Sequence, residues 1–170
     1  MTSYTPDIAL SLALHLAPAR ELLGTRTRYI ARSMSVSDCR HFEKDIERAF
    51  YSKRVKAQMC RIVIVKADQP RKPLFALIAS GSRSKSNTLC VHVAGNSQKA
   101  EMSPRRMAGM YLLCLRVAEV YAALAAMSEV VVRSVHPEHK TFLENAGSTV
   151  MPYGKRCLYA VTKPLMKSCA

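Results

Sequence analysis

The clearest pattern in the chain is the β-branched run Cys60-Arg-Ile-Val-Ile-Val-Lys66, closed by the breaker Asp68-Gln-Pro-Arg-Lys-Pro73 and followed by Leu74-Phe-Ala-Leu-Ile-Ala79. Runs of this kind suit a pleated, buried surface, and the Pro-containing break predicts a hairpin. Gly81 to Asn87 is polar. Thr88–Ala94 then alternates Leu89, Val91 and Val93 with Cys90, His92 and Ala94, the period of a strand. Upstream, Arg28–Ser33 reads as a short strand. The capping residues Ser35-Val-Ser-Asp38 introduce a helix with Phe42, Ile46, Ala49 and Phe50 on one face. Downstream, a polar segment from Gly95 to Ser103 leads through Pro104 into a long apolar helix. Glu129–Arg133 reads as a buried strand and Pro137–Asn145 as a short helix closed by Gly147. Thr149–Met151 and Arg156–Thr162 form a terminal hairpin around Pro152-Tyr-Gly154. The order β α β β β α β α β β places the chain in the α/β (α+β) class.

Residues 1–28 read as an N-terminal extension to a domain over 29–165, with 166–170 as a tail. Asp7 would cap a helix over Ile8–Ala17, and Pro18 would open a second one ended by Gly24. The same stretch also alternates Ile8, Leu10, Leu12, Leu14 and Leu16 as a strand would. Asp7 in place of a positive n-region and His15 within the apolar run argue against a secretory leader. Six widely spaced cysteines without a CxxC suit a reducing, cytoplasmic setting. Met107–Met127 is long enough to span a bilayer. Arg116 and Glu119 at its centre would each cost about 2.5–3.5 kcal/mol there, so no membrane span is expected.

With 170 residues and 49% hydrophobic content, the chain has the material for one core. Its 26 basic and 12 acidic residues leave a net charge of +14. Residues 1–47 are neutral overall, while Arg48–Arg106 holds 13 basic side chains against Asp68 and Glu101, a net of +11. A field of that sign attracts polyanions: nucleic acid, an anionic membrane face or a phosphorylated cofactor.

This element order, with Tyr29-Ile-Ala-Arg-Ser-Met-Ser-Val-Ser-Asp38 running to Ile46-Glu-Arg-Ala-Phe50, resembles the GNAT superfamily of acyl-coenzyme A transferases over about residues 29–163. The resemblance implies a mixed, mainly antiparallel sheet flanked by helices. The family's pyrophosphate signature, Q/R-x-x-G-x-G/A ahead of a long helix, is matched by Arg106-Met-Ala-Gly109-Met-Tyr111 at the Arg and first Gly. A Gly-containing turn entering a helix offers backbone N–H groups and the positive end of the helix dipole. The cofactor-binding residues implied are therefore Arg105, Arg106, Met107, Ala108, Gly109, Met110 and Tyr111, with Val91 and Val93 on the strand. Tyr111 stands where the family has Gly or Ala. Phe142-Leu-Glu-Asn-Ala-Gly147 resembles a second family run, whose proton-donating Tyr falls at Leu143. His136-Pro-Glu-His139 resembles, faintly, the branch that makes N-acyl amino acids.

His92 is the candidate general base, since an imidazole titrates near working pH and the segment is the one that would line the acyl site. Tyr153 and Tyr159 on the terminal hairpin are substitute acids by position only, the nearer expectation being that they pack. His136 and His139 lack the further ligands that zinc needs, so no metal is expected. Hydrolase, P-loop and metalloprotease motifs are absent from the sequence, as are nucleic-acid modules and their aromatic platforms. The reading is an N-acyltransferase using acetyl-CoA or another acyl-CoA on an amine of an acidic or polyanionic acceptor. The alternative is an inactive protein of the same fold whose Arg48–Arg106 face binds an acidic protein or nucleic acid.

Overall fold

The computed structural model describes residues 27–51, 60–81, 87–96, 103–135, 140–145, 147–153 and 157–162. The extension expected before Thr27 and the tail after Thr162 lie outside the described residues.

Strand β1 (Tyr29–Ser33) leads to a 3-10 helix (Val36–His41) and helix α1 (Lys44–Tyr51). Strands β2 (Cys60–Lys66), β3 (Pro73–Gly81) and β4 (Thr88–Gly95) follow, then helix α2 (Pro104–Leu124). Strand β5 (Glu129–Val135), helix α3 (Lys140–Asn145) and strands β6 (Thr149–Tyr153) and β7 (Cys157–Thr162) complete the order. The helix expected from Ser35 through Phe50 is two pieces, because Phe42 is extended at φ −123°, ψ 168°. Its ring, Ile46, Ala49 and Phe50 are nevertheless buried in one cluster, so the hydrophobic face survives the break.

The first piece is tied to the sheet by charge. Arg32 on β1 donates two hydrogen bonds to Asp38, at 2.7 and 2.8 Å, and a third to the Pro70 carbonyl on the β2–β3 turn. Ser35 adds its backbone N–H and its hydroxyl to the same carboxylate. Asp38 is almost fully buried, which by itself would raise its pKa. The guanidinium and Ser35 donors outweigh that penalty and lower it to about 2.

The seven strands form one sheet in the order β1-β2-β3-β4-β5-β7-β6. All pairs are antiparallel except β4 with β5. Side-chain alternation divides the interior into two cores. Ile62, Ile64, Phe75, Leu77, Leu89, Val91, Val130 and Val132 meet α2 on one face. Val63, Val65, Ala76 and Ile78 meet the 3-10 helix and α1 on the other.

Helix α2 is the one helix among the described residues long and apolar enough to cross a membrane. Met110, Leu113, Cys114, Leu115 and Ala118 on it are fully buried in the core against the sheet. Its two central charges pair: Arg116 donates to Glu119, one turn on and wholly buried. Leu143 on α3 is fully buried in the same core.

Candidate active site

Strands β4 and β5 pair in parallel from Thr88↔Glu129 to His92↔Arg133, and there the pairing stops. Beyond that rung β4 stays bonded to β3 through Leu77↔Val93, Ala76↔Ala94 and Phe75↔Gly95. Among the described residues, its other edge has no strand partner over Val93–Gly95. Strand β5 instead follows β7, with an irregular register between Val132 and Val135. Such an irregularity bends the strand that carries it and re-aims its side chains. The sheet therefore forks at His92 and Arg133, leaving backbone donors and acceptors of β4 open to a ligand.

The start of α2 lies beside the end of β4. A Cβ built on Gly95 would come within 3.0 Å of the Met107 methyl and 3.2 Å of the Phe75 ring, so glycine admits this close approach. Ser103 caps the helix: its hydroxyl accepts the Arg106 N–H and its carbonyl the Met107 N–H. Arg105 and Arg106 in this first turn are exposed, and Met107 and Ala108 are half-buried. The β2–β3 turn, with exposed Arg71 and Lys72, sits at this same end of the sheet, as the Phe75↔Gly95 pairing requires.

The signature segment Arg106–Tyr111 is thus helical throughout and not a turn leading into the helix. Gly109, Met110 and Tyr111 are buried in the first turns of α2, with their amides in the helical ladder. Tyr111 is a core residue, its phenol pKa pushed up by burial and by neighbouring Cys114. The helix begins earlier because Ser103-Pro104 supplies an N-cap and N1 pair, a start signal that acts whatever the downstream glycine does. Exposed charge at this end comes from Arg105 and Arg106. The connecting segment 97–102 lies outside the described residues.

His92 and Arg133 are neighbours across the last rung and share the α1 face of the sheet. His92 is half-buried, and neither ring nitrogen is hydrogen-bonded to a described residue. Burial and the nearby Arg133 charge lower its pKa, against an opposing pull from Asp45 on α1. Val91 and Val93 face the other way, toward α2. Leu143, at the position of the family Tyr, is a core side chain. Tyr153 lies at the end of β6, paired with Cys157. His136 and His139 are outside the described residues. Arg133 is a neighbour of His92 that the strand pattern conceals. Its signal is a lone arginine closing the apolar run Val130-Val-Val132.

No family model and no curated protein matches the sequence. Solved structures match by shape. An N-acyl amino acid synthase from uncultured soil microbes, FeeM, superposes with a TM-score of 0.52 at 11% identity, over 81% of this chain and 91% of that one. The PaiA N-acetyltransferase of Thermoplasma acidophilum, solved with coenzyme A, gives 0.51 at 14% identity over 80% and 99%. An N-acetyltransferase of Staphylococcus aureus Mu50 gives 0.51 at 8% over 80% and 98%. The fold is that of the GNAT acyltransferases, as the resemblance in the sequence implied.

Proposed function

We propose that this protein is an acyl-coenzyme A-dependent N-acyltransferase whose acceptor is an amine bearing an acidic group. The observation that carries this reading is the fork. An extended thioester arm entering beside the unpaired edge of Val93–Gly95 would bring its carbonyl toward His92, while Arg105 and Arg106 meet phosphates at the helix start. Binding of acetyl-CoA and coenzyme A by proteins of this fold supports the choice of donor.

In this scheme the amine nitrogen attacks the thioester carbonyl carbon, and β4 amides stabilise the oxyanion. The N–C bond forms, the C–S bond breaks, and the electron pair leaves on sulfur. The amine proton passes to neutral His92 and then to the thiolate or to water. A thiolate is a stable leaving group whose conjugate thiol ionises near pH 8.5, so transfer proceeds without an acid at Leu143. Tyr153 is retained as a substitute proton donor to that sulfur.

Calorimetry with acetyl-CoA and longer acyl forms tests the reading: saturable binding is expected, and no heat at millimolar ligand overturns it. Arg105→Ala with Arg106→Ala is expected to weaken coenzyme A binding about thirtyfold at low salt, from roughly 1 kcal/mol per exposed charge, and less as salt rises.

The alternative, a non-catalytic docking protein, shares the basic end of the sheet. It predicts polyanion affinity that falls steeply with salt and is insensitive to His92→Gln.

A further inference from the structure

Across the α1 face, one rung of the sheet carries Arg61 on β2, Ile78 on β3, His92 on β4 and Arg133 on β5. Directly opposed residues share a face, so two guanidiniums flank an imidazole along one line. Arg61 lies against the Phe50 ring at 4.8 Å, its Nε buried without a hydrogen-bond partner. Arg133 is exposed, and among the described residues its one hydrogen bond runs from Nη2 to the buried Cys90 thiol at 3.7 Å. That contact draws the guanidinium across to β4 beside Cys90, two residues before His92 on the same face, and engages one of its donors. Among the described residues, no carboxylate bonds to either arginine. The nearest acid acting on His92 is Asp45, which is itself exposed and bonded to Arg48.

A guanidinium anchored by a thiol, aimed along the sheet and lacking a counter-charge is suited to an arriving carboxylate, which it can grip with two parallel hydrogen bonds. Residues i and i+2 of a strand lie about 6.6 Å apart, and the spacing from Cys90 to His92 sets how far apart a ligand must hold the groups it offers to Arg133 and His92. An amine and a carboxylate on one or two carbons fit that span.

We propose that Arg133, anchored on Cys90, is the specificity-determining residue of the acceptor site, binding the carboxylate of a small amino acid so that its amine lies over His92. The inference takes its amine-bearing ligand from the acyltransferase reading. It adds that the acceptor is a free amino acid and not the side chain of a macromolecule.

The test uses the full chain, amino acids and their carboxamides, with acetyl-CoA as donor, read both by acyl transfer and by calorimetry of the acceptor alone. The acids are expected to show at least a tenfold advantage over the amides in kcat/KM and in affinity. That advantage should fall to near unity in Arg133→Met, survive partly in Arg133→Lys, and shrink in Cys90→Ala. Arg133 is exposed, so these variants at 133 should keep the wild-type melting temperature. Equal use of acid and amide by the wild type, or an advantage that persists in Arg133→Met, overturns the proposal. If no product forms with any acceptor while acids still bind better than amides, and only when Arg133 is present, the acyl-transfer reading falls and the carboxylate seat stands.

Discussion

His92→Gln is expected to lower kcat by about 10²–10⁴-fold, the range spanned by a positioned general base, while leaving coenzyme A affinity nearly unchanged. Glutamine keeps the volume and a polar end but cannot take up the amine proton. In the wild type the working form is the neutral imidazole. Burial disfavours the imidazolium, and the Arg133 charge disfavours it further. Activity should therefore rise with pH through a limb below 6.5, the ordinary value for histidine, and level off above it. Arg133→Met removes one of the two causes and should move that limb toward higher pH. A pH profile of kcat settles the matter: a limb that His92→Gln leaves in place assigns the base elsewhere.

Asp38→Ala is expected to destabilise the domain by about 2–3 kcal/mol at neutral pH, through loss of a buried, multiply bonded carboxylate. The native pKa of about 2 lies below the unfolded value near 4, so the charged form is favoured by folding. The stabilisation from this linkage is on the order of 2 kcal/mol. It is fully present above about pH 4 and is lost as pH falls toward about 2. Urea denaturation of both proteins from pH 7 to pH 2.5 should show the gap closing at the acid end. A gap that stays constant would place the role of Asp38 in packing alone.

Much of the architecture was legible in the sequence because its signals are local. The β-branched run Cys60–Lys66, the alternation in Thr88–Ala94 and the Ser103-Pro104 start of α2 each act through near neighbours, and each marks the element observed. The break at Phe42 was not legible. The apolar spacing of Phe42, Ile46, Ala49 and Phe50 reads continuously through it, and all four side chains stay in one cluster although the backbone at Phe42 is extended.

The site divides in the same way. His92 can be picked out as a polar residue in an apolar strand. Its partner Arg133 lies 41 positions away and becomes a neighbour only through the parallel register. Arg61 joins the same rung by two further antiparallel registers, which no local pattern encodes. Gly109 shows the converse: a motif legible in sequence whose residues lie within the helix and not in a turn ahead of it.

The five pairs between β4 and β5 also bear on how the chain reaches its native state. Strands β2, β3 and β4 pair antiparallel through short connections, and β1 joins β2 across the 3-10 helix and α1, so all four can form as the chain emerges. Strand β5 must wait for the whole of α2 and then dock alongside β4, bringing β7 and β6 with it. That long-range parallel closure carries the highest loop entropy in the sheet and is suited to be the last and slowest step of folding. The fork would then be the seam closed last, and His92 and Arg133 would become neighbours only as folding completes.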